Sequence, residues 1–215
     1  MTERLKEIFS TIDKTSVFAD VGCDHGYVAK EVLKSGKAEK VIISDISAKC
    51  LAKAENLLAD EIADGRVISV VSNGFEKLPP FDLALIAGMG GEEIISILKN
   101  AKFLPKSLVL QPMKNLPKLR EFLVKIGYKI LKDYVFSAEQ KYYDLLVLKK
   151  GQDLLTDEEI EFGRTNLTER GKPFIDRLIN EIESLNFYAS QEGLSLENKR
   201  RFIEKAERLS RYVRD

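Results

Sequence analysis

The sequence predicts an α/β fold, a mostly parallel sheet covered by helices and followed by a C-terminal helical hairpin or coiled coil. Three observations carry this reading. Short apolar runs alternate with amphipathic segments of helical period through residue 125. The first run enters a glycine turn at Gly22. Beyond Gly151 helical spacing continues without any convincing strand. A strand, helix, strand, helix order favours parallel strands, because a helical crossover returns the chain to the same sheet edge and covers a face.

Taken in order, Leu5, Ile8, Phe9 and Ile12 form the apolar stripe of a first helix. Residues 17–22 form a short buried strand entering a turn, and 27–35 a helix with Val28, Val32 and Leu33 available for burial. A strand at 41–46 and a helix at 49–58 follow, then strands at 67–72, 81–87 and 107–112. Helices are expected at 92–99 and at 116–125, the latter closed by Gly127. Residues 128–136 and 141–150 are separated only by four residues and form an antiparallel pair. From Asp157 onward, Ile175, Leu178, Ile182 and Leu185 make one stripe and Phe202, Ala206, Leu209 and Val213 another, with Gly193 to Ser195 between them. Burial of both stripes predicts the hairpin, and a division into units 1–150 and 151–215.

The chain of 215 residues carries 34 basic and 34 acidic side chains, so no general attraction to polyanions is expected. Residues 1–150 hold 23 basic against 20 acidic residues, and 151–215 hold 11 against 14. The last helix is locally basic nonetheless, and Arg201, Lys205 and Arg208 are either a solvated face or contacts to a phosphate backbone. No continuous apolar segment precedes Asp13 and no run of 18 apolar residues occurs, so neither a signal peptide nor a membrane span is expected. Two unpaired cysteines, Cys23 and Cys50, fit a reduced cytoplasm. With one histidine and no clustered ligands, no metal site is expected. The expected assembly is a monomer or a weak homo-oligomer.

The run Asp20-Val21-Gly22-Cys23-Asp24-His25-Gly26 is the most informative. Glycine after a strand lets the backbone bend sharply and a ligand come close. The run lacks the Lys-Ser/Thr ending of a phosphate loop and falls short of a complete Gly-x-Gly-x-x-Gly fingerprint. Asp45 ends the next strand, 23 residues beyond Gly22, where a carboxylate accepts both hydrogen bonds of a ribose diol. Ile46 follows it. Asn73 and Gly74 after the third strand, and Ala87, Gly88 and Met89 after the fourth, bring small residues and amides to the same edge. Asn73 is a candidate for an adenine edge, and Met89 packs on a cofactor or seals the core.

In those residues the chain resembles the bacterial tRNA adenine-N1 methyltransferases that modify adenine 22, a Rossmann-like class I family. The resemblance rests on Asp20 to Tyr27, on Ile86-Ala87-Gly88-Met89-Gly90-Gly91, on Leu110-Gln111-Pro112, and on Glu139-Gln140-Lys141-Tyr142-Tyr143, and spans most of residues 1–150. It implies S-adenosylmethionine as cofactor, tRNA as substrate, and a Rossmann-like domain followed by a helical one. Two positions depart from the family pattern. Asn73 stands where an acidic residue is expected, and Met113, which offers no directed hydrogen bond, stands where the family commonly has Asn.

On this reading adenine N1 attacks the sulfonium methyl directly, without a covalent enzyme intermediate, and positioning supplies much of the acceleration. Asp24 and His25 lie at the entrance. His25 orients Asp24, contacts tRNA, assists proton redistribution after attack, or only stabilises the loop. Gln111 is assigned to the adenine edge, Pro112 to the shape of the loop, and Met113 to covering apolar base surface. Tyr27, Tyr142 and Tyr143 are candidates for stacking, with Tyr143 the least secure because alternation turns one of two adjacent tyrosines inward. Lys114, Lys118 and Arg120 are phosphate contacts or an exposed helix surface. N6-adenine methylation of another RNA, a catalytically silent S-adenosylmethionine or RNA-binding module, and an NAD-dependent oxidoreductase are the competing readings.

Overall fold

The computed structural model describes residues 1–214. Seven strands form one sheet: β1 (Thr15–Val21), β2 (Ala38–Asp45), β3 (Val67–Val71), β4 (Leu83–Met89), β5 (Ser107–Pro112), β6 (Tyr128–Ala138) and β7 (Lys141–Lys150). Their order is β3-β2-β1-β4-β5-β7-β6, parallel from β3 through β5, with β7 antiparallel to both its neighbours. The order reverses between β1 and β4, so the loops leaving these adjacent strands diverge and open a crevice at their carboxyl ends.

The helices are α1 (Glu3–Ser10), α2 (Tyr27–Lys34), α3 (Ala48–Leu57), α4 (Ala59–Ala63), α5 (Gly91–Lys99), α6 (Leu116–Lys125), α7 (Asp157–Phe162), α8 (Arg164–Glu169), α9 (Lys172–Ser190) and α10 (Leu196–Ser210). Strand alternation distributes the core. Ala19, Val21, Ala84, Ile86, Leu108 and Leu110 face α5 and α6, whereas Phe18, Ile43, Leu83 and Leu85 face α1, α2 and α3. A third cluster joins Phe162, Phe174, Leu178, Ala206 and Leu209 to Val135 of β6, so the terminal helices pack on the hairpin as well as on each other.

That packing also covers a sheet edge. The backbone N–H groups of Asp133 and Val135 donate to Thr165 Oγ1 and Asn166 Oδ1, both at 2.9 Å. Strand β6 is the last in the sheet, and these side chains of α8 take up donors that would otherwise be unpaired. The predicted elements are all present, and the hairpin is tighter than its four-residue separation suggests. Strand β6 runs on to Ala138, leaving Glu139 and Gln140 as a two-residue turn with φ of 47° and 59°. Helices α4, α7 and α8 add short turns where the sequence stripes are too brief to read. No described helix is long and apolar enough to cross a membrane.

Candidate active site

The crevice is assembled from five loops, one after each of β1 to β5. After β1, the N–H groups of Gly22 and Cys23 both donate to the Ser44 carbonyl of β2, at 2.8 and 3.1 Å, and the Gly26 N–H closes the turn on Cys23 O. Gly26 has φ +70°, and a Cβ there would lie 2.8 Å from the Ala54 methyl of α3, so this position needs glycine for conformation and for space. Met89 leans into the same loop: its methyl occupies the place where a side chain on residue 22 would begin. It is half-buried and packs against the core.

The loop after β5 lies on the glycine run after β4. Met113 N–H donates to Met89 O and Gly91 N–H to Lys114 O, each at 2.9 Å. A Cβ on Gly91 would meet the carbonyl oxygens of Lys114 and Asn115 at 2.7 and 2.8 Å. The paired glycines therefore allow two backbones to touch, which places residues 113–115 beside the carboxyl end of β4.

At the tip of β2, Asp45 Oδ1 accepts the Ser47 N–H at 2.8 Å, and Oδ2 has no partner among the described residues. Ile46 beside it is 70% exposed, and Val71 at the tip of β3 is exposed too, so two apolar side chains flank a carboxylate at the sheet edge. Asn73 Nδ2 donates to Glu76 Oε1 at 2.8 Å, which turns the carboxamide so that its oxygen remains available as an acceptor. Gly74 packs against Ile97.

A cavity of about 180 Å³ is lined by Arg4, Asp20, Gly22, Cys23, Asp24, His25, Tyr27 and Ala87, among others. Asp24 Oδ1 accepts from Lys53 Nζ at 2.9 Å, and its Oδ2 lies 3.5 Å from His25 Nε2. The His25 ring stacks on Tyr27 with centroids 5.4 Å apart and planes 12° from parallel, and Tyr27 is 47% exposed. Burial and the nearby carboxylates of Asp20 and Asp45 push the Cys23 thiol up, away from any nucleophilic role.

Burial pushes the Asp20 carboxyl up to about 7. A folded carboxyl that holds its proton more tightly than the unfolded chain lends stability that is full below about pH 4 and is lost as the pH rises through 7. Asp20→Asn is therefore expected to raise the Tm at pH 8 by at least about 2–4 °C, equivalent to about 1 kcal/mol at this chain length. The gain should vanish at pH 4. Equal gains at both pH values in calorimetry would contradict this account.

Several expected site residues stand elsewhere. Arg120 is not a phosphate contact: it is 1% exposed, grips Asp133 through Nε and Nη2 at 2.6 and 2.9 Å, and donates to the Ile160 and Glu161 carbonyls. Gln111 is fully buried with both ends of its carboxamide engaged, Oε1 by Arg4 Nη1 at 3.0 Å and Nε2 by Pro112 O at 3.1 Å, so it braces the loop and does not meet a base. Tyr142 turns toward the terminal helices, where its hydroxyl accepts from Asn180. Tyr143 is the one that joins the crevice side, stacked on Phe136 and lying under the Arg4 guanidinium. Met113 is exposed at the rim. Lys118 pairs with Glu92, Lys205 with Glu181 and Arg208 with Glu161, which leaves Lys114 and Arg201 without an ion pair among the described residues. A separate groove of about 640 Å³ between α9 and α10 is lined by Arg201, Lys205 and Arg208. Arg4 and Lys53 are functional candidates that sequence reading missed, since each reaches the crevice only through tertiary packing. No cluster of His, Cys, Asp and Glu able to hold a metal occurs among the described residues.

Comparison with known proteins gives this geometry a family. Residues 1–146 match the model of a methyltransferase domain. A Mycoplasma pneumoniae protein provisionally named a tRNA methyltransferase is 33% identical over 172 residues, covering 76% of this chain and 79% of its own. The Bacillus subtilis tRNA (adenine(22)-N(1))-methyltransferase is 25% identical over 97% of this chain and 94% of its own. In fold, the chain superposes on Mycoplasma capricolum TrmK, solved with S-adenosyl-homocysteine, with a TM-score of 0.87 at 24% identity over 99% of this chain and 97% of that one. Helices α9 and α10 lie beyond the matched domain, and the full-length superposition extends over them. The chain thus belongs to the methyltransferase-domain family, alongside the bacterial tRNA methyltransferases it matches over most of its length.

Proposed function

We propose that this chain methylates N1 of adenine 22 in tRNA with S-adenosylmethionine as donor, acting in the cytoplasm as a monomer or weak homo-oligomer. Residues 1–150 form the catalytic unit, and 151–215 a helical unit that supports it or meets the tRNA. The observation that carries this reading is the convergence at one sheet edge of a ribose acceptor, an apolar rim and a small charged cavity. It is supported by the near full-length match to a relative named for this reaction.

The residues fit the cofactor. Asp45 keeps an unpartnered carboxylate oxygen for the ribose diol, and Ile46 and Val71 offer apolar surface for adenine. Asn73 presents its carboxamide oxygen, an acceptor suited to an exocyclic amine, and so replaces the expected acidic residue in hydrogen bonding if not in charge. Asp20 is a buried carboxyl without a cationic partner among the described residues and suits an ammonium group. When bound, S-adenosylmethionine supplies an electrophilic methyl group.

The chain's own task is alignment and exclusion of water. Adenine N1 carries a lone pair and needs no base for the attack, so holding the base in line accounts for the acceleration expected of this site. A stacked or paired adenine must first leave the helix. The exposed His25–Tyr27 stack provides an aromatic surface at the cavity mouth on which a flipped base can lie. Lys53 hydrogen-bonds one Asp24 carboxylate oxygen and His25 lies beside the other, which supports a positioning role for His25.

The test is incubation of the purified protein with methyl-labelled S-adenosylmethionine and a tRNA transcript, followed by nucleoside analysis. Label is expected in 1-methyladenosine at position 22 and should disappear when that adenine is replaced by guanine. N6-methyladenosine as the product would overturn the N1 assignment, and methylation persisting at the replaced position would overturn adenine specificity.

A further inference from the structure

The loop after β1 has glycines at 22 and 26 with φ of 73° and 70°, and between them Asp24, whose φ of 45° is left-handed as well. Such a backbone is strained for a residue with a Cβ and open to glycine, so the side chain and not the turn accounts for an aspartate there. Its carboxylate is exposed at the mouth of the small cavity. Lys53 Nζ, reaching over from α3, hydrogen-bonds Oδ1 at 2.9 Å. Oδ2 accepts no hydrogen bond among the described residues and lies 3.5 Å from His25 Nε2, beside the exposed His25–Tyr27 stack. A free carboxylate oxygen, turned by its neighbours, thus borders the aromatic surface proposed for the base.

The reaction moves a positive charge toward this place. Adenine N1 bonds to the methyl carbon with its own lone pair, the C–S bond breaks with its electrons left on sulfur, and no proton is released. A neutral adenine therefore becomes a 1-methyladeninium cation. The charge is shared with the exocyclic amine on the adjacent ring carbon, whose N–H groups become stronger donors. An anion that meets this amine gains more from the transition state than from the ground state, which is the condition for acceleration.

Resting on the function proposed above, we infer that Asp24 is a catalytic residue: Oδ2 accepts a hydrogen bond from the exocyclic amine of the target adenine and supplies the counter-charge as N1 is methylated. Lys53 is a positioning residue that turns the carboxylate by occupying Oδ1. The same contact selects the base. Adenine presents an amine at this position and guanine a carbonyl oxygen, which a carboxylate repels.

Single-turnover methylation by wild type and Asp24→Asn, on tRNA transcripts with adenine or unsubstituted purine at position 22, tests this. Asparagine tolerates a left-handed φ, so the loop should keep its shape. Asp24→Asn is expected to slow adenine methylation at saturating tRNA and cofactor by about 10- to 100-fold, less than the loss from an enclosed electrostatic contact because Asp24 is exposed. Asp24→Gly, which this backbone favours, should lose at least as much. Purine has no amine to lose, so the rate ratio of adenine over purine should shrink by about the same factor in Asp24→Asn, while affinity for S-adenosylhomocysteine changes less than about twofold. An unchanged ratio, or a loss seen only as weaker binding of tRNA or of S-adenosylhomocysteine, would overturn the inference. Absence of 1-methyladenosine at position 22 in the wild-type reaction would instead overturn the proposed function, and the inference with it.

Discussion

Arg120→Ala is expected to lower the unfolding free energy by about 3–5 kcal/mol, the cost of breaking a buried ion pair from one side. Both partners are 1% exposed, and the guanidinium meets the Asp133 carboxylate through two parallel hydrogen bonds. Its remaining nitrogen caps the last carbonyls of α7, Ile160 and Glu161. Removal leaves one buried carboxyl and two half-buried acceptors without their Arg120 partner, and it frees α7 from α6 and β6 at once. The pH dependence has a definite sign. Burial pushes the Asp133 carboxyl up, and without Arg120 nothing of opposite charge opposes that push so closely. A raised carboxyl costs nothing below its unfolded value and costs more as the pH climbs, so the loss should be larger at pH 8 than at pH 5. Urea denaturation at the two pH values measures both. A loss below about 1 kcal/mol, the range of exposed pairs, would show that the pair does not bolt α7 to the sheet.

Arg120 also shows where a sequence stops being informative. It stands in an amphipathic helix just after the expected target loop, with Lys114 and Lys118 before it, and local pattern makes it one more surface cation. Its partners are 13, 40 and 41 residues away and are brought to it by the turn into β6 and the fold of the appendage, which no local spacing encodes. The strands were legible because a strand buried on both faces has to be a continuous apolar run, as Val41 to Ile43 and Leu83 to Ile86 are. The glycine loop and Asp45 were legible for a related reason: they sit at strand ends, where the register alone puts them on one edge. Arg4 and Lys53 were not, since each comes from a helix and crosses space to reach the crevice. The two tyrosines fall between these cases. Alternation guarantees that Tyr142 and Tyr143 face opposite sides, but which side holds the site depends on how the hairpin joins β5, and that placed Tyr143 beside Arg4 and Tyr142 under α9.

Asp45→Ala is expected to weaken S-adenosylhomocysteine by about 10- to 100-fold, because a ribose diol bound by a carboxylate loses charge-assisted hydrogen bonds worth about 1.5–3 kcal/mol. The fold should survive the change. Asp45 is the last residue of β2, and the one bond its side chain makes within the protein is to Ser47 N–H, at the start of α3, where Ser47 itself still caps the helix through Cys50 N–H. Loss of that turn contact costs about 1 kcal/mol at most. Affinity and stability therefore separate in this variant, in contrast to Arg120→Ala, where stability falls and the crevice residues are untouched. The nucleoside matters as well: adenosine and methylthioadenosine both contain the diol, so both should lose affinity along with S-adenosylhomocysteine, whereas the 2′-deoxy analogue should bind wild type and Asp45→Ala more nearly alike. Unchanged affinity for all three diol-bearing compounds in Asp45→Ala would remove the ribose contact assigned to this carboxylate.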